Sequence, residues 1–455
     1  MRRDDPLAAW ARSGAMALTG RAEGPALGPP RGFVQRLLRL EERLEADFER
    51  LGVPLELDAL ALLGERSALA GLWRQGDRSC GGASRLLKAG DGWLALSLAR
   101  PSDVELLAAW LGNDVRWTED PWSSVAPAVA RRGVDDLVAG GALLGLPVAA
   151  LPASALRAAA SEEPAGELAV RAPVGELPVT ATRFSDAGPV SMAGLLVADL
   201  SSLWAGPLCA QLLGLAGARV VKVESTQRPD GARFGPPAFF DLLHAGHESV
   251  AVDFTTPDGR ENLRRLLDAA DVVIEASRPR ALQQLGIDAE ALLRNGRPRV
   301  WLSITGHGRT GEAAQRVAFG DDGAVAGGLV VWDQSGPCFC ADAVADPLTG
   351  LVAAAAVLES VAAGGRWLLD VSLQSVAAHF AGPAAVHGSG GPATDLVGET
   401  AGPEPAVAAR PDGTVLTANG PVDVAPPRAR PSRGTAPPLG AHTEAVLDEL
   451  CRRGP

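Results

Sequence analysis

Leu195-Leu-Val-Ala-Asp-Leu-Ser-Ser-Leu-Trp-Ala-Gly-Pro207 is a short apolar run that leads through a glycine-bearing turn into an apolar helical pattern. Val/Ile-rich runs of the same kind recur at Arg219 to Glu224, Ser249 to Phe254, Asp271 to Ser277 and Arg299 to Thr305. Helical patterns separate several of them, at Gly206 to Ala216, Pro257 to Ala270 with Thr256 as its cap, and Ala281 to Leu293. Short strands alternating with helices predict an α/β fold, a parallel Rossmann-like sheet with helices on both faces. In such a sheet ligands sit at the carboxyl ends of the strands. The turn Ser201 to Pro207 is short enough to bring backbone amides to a phosphate, but it is not a complete GxGxxG fingerprint, and tight helix packing accounts for its glycine equally well. Glu224 closes the second strand, either as an acid placed for a ribose or as a solvated strand end.

The flanks differ from this core. Val34 to Leu51 is a charged helical stretch, and Ser84 to Gly112 reads as strand, turn, strand and helix before a Pro/Ala-rich region that runs to about Ala187. After about Gly382 the chain is rich in Gly, Pro and Thr, with order expected at Thr414 to Ala418 and His442 to Leu450. These shifts divide the chain into 1–187, holding a smaller α+β domain; 188–383, the sheet domain; and 384–455, a linker and a C-terminal segment returning to the large domain.

With 455 residues the chain is long enough for two or three domains. The net charge of -12 argues against broad nucleic-acid binding, which needs a positive field, so an anionic ligand requires a local arginine site. No apolar run reads as a membrane span, and the start, Met1-Arg-Arg-Asp-Asp-Pro6, lacks the apolar core of a signal peptide. The expectation is a soluble, cytoplasmic protein without membrane or nucleic-acid partners. Five cysteines, Cys80, Cys209, Cys338, Cys340 and Cys451, are an odd, scattered set; Cys338-Phe-Cys340 has no second pair or His cluster to complete a zinc site. They read as packing residues, and no metal is expected.

One acid stands apart. Asp346, in Ala343-Val-Ala-Asp-Pro-Leu-Thr-Gly350, precedes a helical run from Pro347 to Ala363 closed by Gly364-Gly365. It reads as the N-cap of that helix, with free amides and the helix dipole holding its carboxylate ionised. Capping alone explains an Asp-Pro pair; an ionised carboxylate can also serve as a covalent nucleophile.

Six signatures in order resemble the class III CoA-transferases, the family of formyl-CoA and carnitine-CoA transferases and methylacyl-CoA racemases. They are Val197 to Pro207, Leu215-Ala-Gly-Ala-Arg-Val-Val-Lys-Val-Glu224, Ser249-Val-Ala-Val-Asp-Phe-Thr-Thr-Pro-Asp-Gly259, Asp271-Val-Val-Ile-Glu-Ala-Ser-Arg-Pro279, Leu302-Ser-Ile-Thr-Gly-His-Gly308 and Val344 to Gly350; Gly365-Arg-Trp-Leu-Leu-Asp-Val-Ser-Leu373 follows them. The resemblance implies that Asp346 is the nucleophile of a CoA transfer from an acyl-CoA thioester to a carboxylic acid, with coenzyme A as substrate, no tightly bound cofactor, and a homodimer. It assigns Trp204, Ala205, Gly206 and Pro207 to the pantetheine and diphosphate region, Arg233 and Arg278 to the phosphates, and Val252 and Phe254 to the adenine. Each arginine is otherwise an ordinary surface charge. Gly81 and Gly82, in Cys80-Gly-Gly-Ala-Ser84, correspond to a loop that covers the site; Gly388-Ser-Gly-Gly391 is a rival by composition only.

Two departures qualify the resemblance. The racemase branch carries Gly-His-Asp where this chain has Gly320-Asp-Asp322, so two-base racemisation is disfavoured, while Asp321 and Asp322 are left to orient substrate. Segments resembling the small domain, Ser84 to Gly112 and Leu146-Pro-Val-Ala149, precede the sheet, as does Trp10 to Gly20, which resembles the segment after the Asp-Asp region. The closing signature, Pro437 to Leu447, stands in its usual place. A CoA-binding protein without catalysis and an acyl-CoA isomerase of the same family are the alternatives; a nicotinamide dehydrogenase is a poor one because the glycine fingerprint is incomplete.

Overall fold

The computed structural model describes residues 5–112, 120–152, 176–382, 413–417 and 419–453. Gly388 to Gly391 lie outside them. The expected parallel sheet is present, built from Leu196–Asp199, Arg219–Ser225, Glu248–Val252, Val272–Glu275 and Val300–Thr305. Two further strands extend it: Arg366–Ser372 pairs in parallel with Val300–Thr305, and Thr180–Ser185 closes that edge antiparallel. From that edge the order is 180–185, 366–372, 300–305, 272–275, 196–199, 219–225, 248–252. The chain winds outward in both directions from the pair 196–199 and 272–275, the switch point whose carboxyl ends are where such sheets receive ligands. The turn Leu200 to Trp204 and the segment Ala276 to Arg278 flank it.

Both faces are covered. One carries the helices Pro257–Ala269, Ala289–Asn295 and Thr443–Arg453, packed over Val223, Val250, Val273 and Trp301. The other carries Ala205–Leu215 and the 19-residue helix Ala345–Ala363. The helix expected over Ala281 to Leu293 is two pieces, Pro279–Gln284 and Ala289–Asn295, because Gly286 turns the chain at φ 77° and Asp288 caps a new start.

Ala345–Ala363 is long and apolar enough to cross a membrane by composition, contrary to the sequence reading, but 83% of that apolar stretch is buried inside the protein. Its small side chains let neighbours come close. Gly350 lies so near Ala205–Leu215 that a Cβ there would sit 2.7 Å from the Ala205 carbonyl oxygen and 2.9 Å from Leu208. The first turns of the two helices are thereby held together. On the outer side, Phe33–Arg50 packs against Ala345–Ala363, with Arg43 ion-paired to Glu359 and Phe33 wedged between Trp10 and Phe380 at ring distances of 5.5 and 5.7 Å.

Residues before the sheet also form a three-stranded antiparallel sheet, Ser84–Lys88, Trp93–Ser97 and Val148–Ala150, with its own apolar cluster around Trp110 and Trp122. Residues 425–430 run along the N-terminal part, where Ala425 donates to the Ala11 carbonyl at 2.9 Å and Arg430 pairs with the buried Glu65, and 436–442 return to the sheet domain, where His442 donates to the Ser249 carbonyl at 2.9 Å. All five cysteines are free, and only Cys451 is exposed.

The contact at Gly350 gives a direct test. Gly350→Ala is expected to lower the thermal unfolding midpoint by several degrees, reflecting about 1–3 kcal/mol of overpacking; an unchanged midpoint would show that the helices separate without cost.

Candidate active site

Asp346 is not the N-cap. The helix starts one residue earlier, at Ala345, with Val344 as N-cap and no side-chain cap bond, so Asp346 sits in the first turn. Ala345 and Pro347 are buried while Asp346 is half-buried. Among the described residues no hydrogen bond reaches that carboxylate. Its surroundings also reverse the electrostatic expectation. Desolvation by the crowded protein raises the carboxyl to about 7, Arg66 offsets part of this, and Asp321, Asp322 and Asp342 push it further up. Helix amides alone do not hold this group ionised.

The acids responsible come from two places. Asp321 and Asp322 start the helix Gly320–Ala326, and Asp342 lies just ahead of Ala345–Ala363. Asp321 accepts from Ser84 Oγ at 3.0 Å and from the Ala343 amide at 3.2 Å. Asp322 accepts from Ser97 Oγ at 2.7 Å and from the Phe319 amide at 3.1 Å, while its second oxygen is buried without a hydrogen bond. Ser84 and Ser97 face each other across the small sheet with their hydroxyls 2.8 Å apart, so the end of that sheet is docked on the acid pair. Burial raises Asp321, and raises Asp322 to about 7.

Asp342 is fully buried and clasped by the N-terminal segment: Arg66 grips both its oxygens, through Nε at 3.0 Å and through NH2, and Ser67 Oγ donates at 2.7 Å. The backbone is strained here. Ala341 and Ala343, on either side of Asp342, have φ of 54° and 43°, a region that L-residues avoid. Gly320 completes the fit, since a Cβ on it would overlap the Ala343 carbonyl and stand 2.7 Å from Asp346 Oδ2. Sequence reading missed Arg66 and Asp342 altogether. The Asp-Ala-Val-Ala-Asp spacing was visible, but the arginine is 276 residues away from its partner.

The other expected site residues are placed as follows. Trp204, Ala205, Gly206 and Pro207 are all buried, and Gly206 is obligatory because a Cβ would overlap Ser201. Trp204 stacks edge-on against Phe239 at 5.2 Å, and the Arg66 guanidinium lies 5.8 Å from its ring centre. The preceding Leu203 has φ 71° and is tied down by Asp230, which with Asp199 encloses the buried Lys222 at 3.0 and 3.5 Å. Glu224 is neither a solvated strand end nor open to a ribose: it is buried and takes Arg233 in a two-pronged pair, Nε to Oε1 at 2.9 Å and NH2 to Oε2 at 2.6 Å. Arg233 also lies over the Phe240 ring at 4.4 Å. Arg278 is exposed, just beyond the carboxyl end of strand 272–275. Val252 is buried and Phe254 half-buried at the end of their strand, packed into the second core. Gly81 is exposed and Gly82, at φ 79°, half-buried; a Cβ on Gly81 would be 3.5 Å from Arg66. The short glycine loop thus lies over the arginine that holds Asp342.

The model of "CoA-transferase family III" matches residues 192–441, more than half of the chain. The chain belongs to this family. Relatives among class III transferases include the succinate–glutarate CoA-transferase of Agrobacterium fabrum, 31% identical over 207 residues that cover 41% of this chain and 51% of that protein. The human succinyl-CoA:glutarate CoA-transferase is 29% identical over 177 residues, covering 37% and 40%. A solved CAIB/BAIF family protein from Brucella suis is 32% identical, covering 42% of this chain and 55% of that one, with a TM-score of 0.38. The chain therefore spans about half the length, or less, of the family members it matches.

Asp322 provides a pH test of the site's electrostatics. A carboxyl raised in the folded state contributes stability below its unfolded value near 4, and that contribution is lost as pH rises through about 7. Asp322→Asn keeps the shape without the charge. It is expected to flatten the fall in unfolding midpoint between roughly pH 4 and pH 8; a slope equal to that of the wild type would mean that Asp322 carries no such strain.

Proposed function

We propose that this protein transfers CoA from an acyl-CoA thioester to a carboxylic acid, with Asp346 as covalent nucleophile. The observation that carries the reading is the placement of Asp346: a half-buried residue whose carboxyl is free of hydrogen bonds among the described residues, set against an otherwise buried acid cluster. A partly desolvated carboxylate is a stronger nucleophile than a hydrated one, and an acid near 7 is ionised in useful amount at neutral pH.

Each step exchanges one activated acyl bond for another. An Asp346 oxygen attacks the thioester carbonyl; the C–S bond breaks, CoA leaves as thiolate, and an acyl-aspartyl anhydride remains. The thiolate attacks the aspartyl carbonyl of that anhydride, releasing the donor as free carboxylate and leaving an aspartyl-CoA thioester. The acceptor carboxylate attacks this thioester and again expels CoA thiolate. Attack of the thiolate on the acceptor acyl carbonyl gives the new acyl-CoA and regenerates Asp346. Bonds and charge balance without ATP or an external oxidant.

In this reading CoA approaches along the carboxyl ends of the strands. Arg278 is exposed there to take a phosphate, and Arg233 serves one if its pairing with Glu224 opens. Val252 and Phe254 flank the adenine. Trp204 to Pro207 form the wall behind the pantetheine, consistent with their burial. Asp321 and Asp322 position the acyl group from beneath. The names of the relatives give succinate or succinyl-CoA and glutarate; a dicarboxylic acid is the first acceptor class to try here.

The decisive experiment is a mass-spectrometric screen of CoA exchange over pairs of acyl-CoA and carboxylic acid. Asp346→Ala is expected to reduce exchange by about a thousand-fold or more, and hydroxylamine or borohydride trapping should modify Asp346. Because the nucleophile must be ionised, the rate should rise with pH through about 7. Turnover with Asp346 unmodified would overturn the mechanism, and CoA binding without exchange over the whole panel would identify a binding protein instead.

A further inference from the structure

Arg66 lies on the short helix Glu65–Ala70 of the N-terminal part, far in sequence from the family region at 192–441. It touches three features at once. It pairs with both oxygens of Asp342. Its guanidinium stands 5.8 Å from the ring centre of Trp204, at the start of Ala205–Leu215. The glycine loop at Gly81 lies against it.

Asp342 is the fixed point of the strained stretch Ala341 to Ala343, whose outer links are also made by distant residues. Ala341 donates to Thr19 Oγ1 at 2.9 Å and Ala343 donates to Asp321, after which the Asp346 amide turns back to the Ala343 carbonyl at 2.9 Å. A left-handed backbone at two alanines persists only where surrounding contacts over-determine it. The clasp on Asp342 is the strongest of those contacts, because a two-pronged arginine–carboxylate pair fixes orientation as well as distance. The groups facing Asp346 are Asp321 and Asp322 from Gly320–Ala326, Asp342 from the preceding segment, and Arg66; Cys80, beside Asp342 and Asp321, is held as a neutral thiol by its burial.

Resting on the assignment of Asp346 as nucleophile, we propose that Arg66 is a positioning residue of the site: it holds the strained turn that aims Asp346 and presents a positive charge to it across a cluster of acids. The N-terminal part thus completes the active site within one chain. It supplies Arg66 and Ser67 to Asp342, Ser84 to Asp321 and Ser97 to Asp322.

The test reads the charge of Asp346 without turnover. The stability gained by Asp346→Asn over its parent should grow with pH and level off once Asp346 is ionised in the fold. In the Arg66→Met background that levelling-off is expected about one pH unit or more higher, because the opposing charge is gone. Arg66→Lys should restore it toward the parent value while lowering kcat with little change in KM for acyl-CoA, since an ammonium keeps the charge but not the forked bonds. If Arg66→Met does not fold, Arg66→Gln, which removes the charge but keeps a side-chain amide donor for Asp342, takes its place with the same expected shift. A levelling-off unmoved in the Met variant overturns the proposal, because loss of a purely structural contact would lower stability without moving the titration of Asp346. Absence of exchange in the wild-type protein would sink the transferase reading alone; the stability comparison would still decide the role of Arg66.

Discussion

Gly350 leaves no room for a side chain between the helices Ala345–Ala363 and Ala205–Leu215, and this close approach is the constraint on which the rest of the structure depends. It brings two helix starts together on one face of the sheet, beside the switch point at strands 196–199 and 272–275. Asp346 lies one turn before Gly350. The residue proposed as nucleophile is therefore located by packing, and the long run of alanines, which looks featureless in sequence, is what allows the packing. A helix with larger side chains would stand farther from its neighbour and carry Asp346 away with it.

Around that fixed point the protein gathers four carboxyls and a cation where little water reaches. Burying like charges together is unfavourable, and the raised carboxyls of Asp321, Asp322 and Asp346 record that cost. The cluster is tolerated because serine hydroxyls and backbone amides satisfy both oxygens of Asp321 and one each of Asp322 and Asp342, and Arg66 pairs with Asp342. The serines and the arginine come from residues before the sheet, so the two parts of the chain are joined through the site as well as through the apolar contacts of Phe33–Arg50. Strain at Ala341 and Ala343 fits this picture, since it lies where the acids converge.

The alternation of strands and helices was legible because the central strands 196–199, 272–275 and 300–305 are short runs dominated by Val, Ile and Leu and buried throughout, a pattern that few other arrangements produce. The strand Thr180–Ser185 was not, since it lies at the sheet edge with its side chains half-exposed or exposed. The helix expected over Ala281 to Leu293 failed at Gly286, where a single left-handed residue ends one helix and Asp288 begins another. Arg233 shows a different limit. Its sequence neighbours suggest a free cation, yet Glu224 on the adjoining strand takes up its guanidinium, and a charge pair between strand and loop leaves no periodic trace.

The sequence by itself determined the parallel sheet and its family signatures and singled out Asp346 as a candidate, because hydrophobic period and local motifs are properties of neighbouring residues. Only the tertiary structure decided the state and company of that aspartate: first-turn residue instead of cap, near neutrality instead of firmly ionised, and set against Asp321, Asp322, Asp342 and Arg66. Desolvation and Coulomb interaction act through space over a few ångströms, and the residues that supply them here are separated by up to 280 positions along the chain.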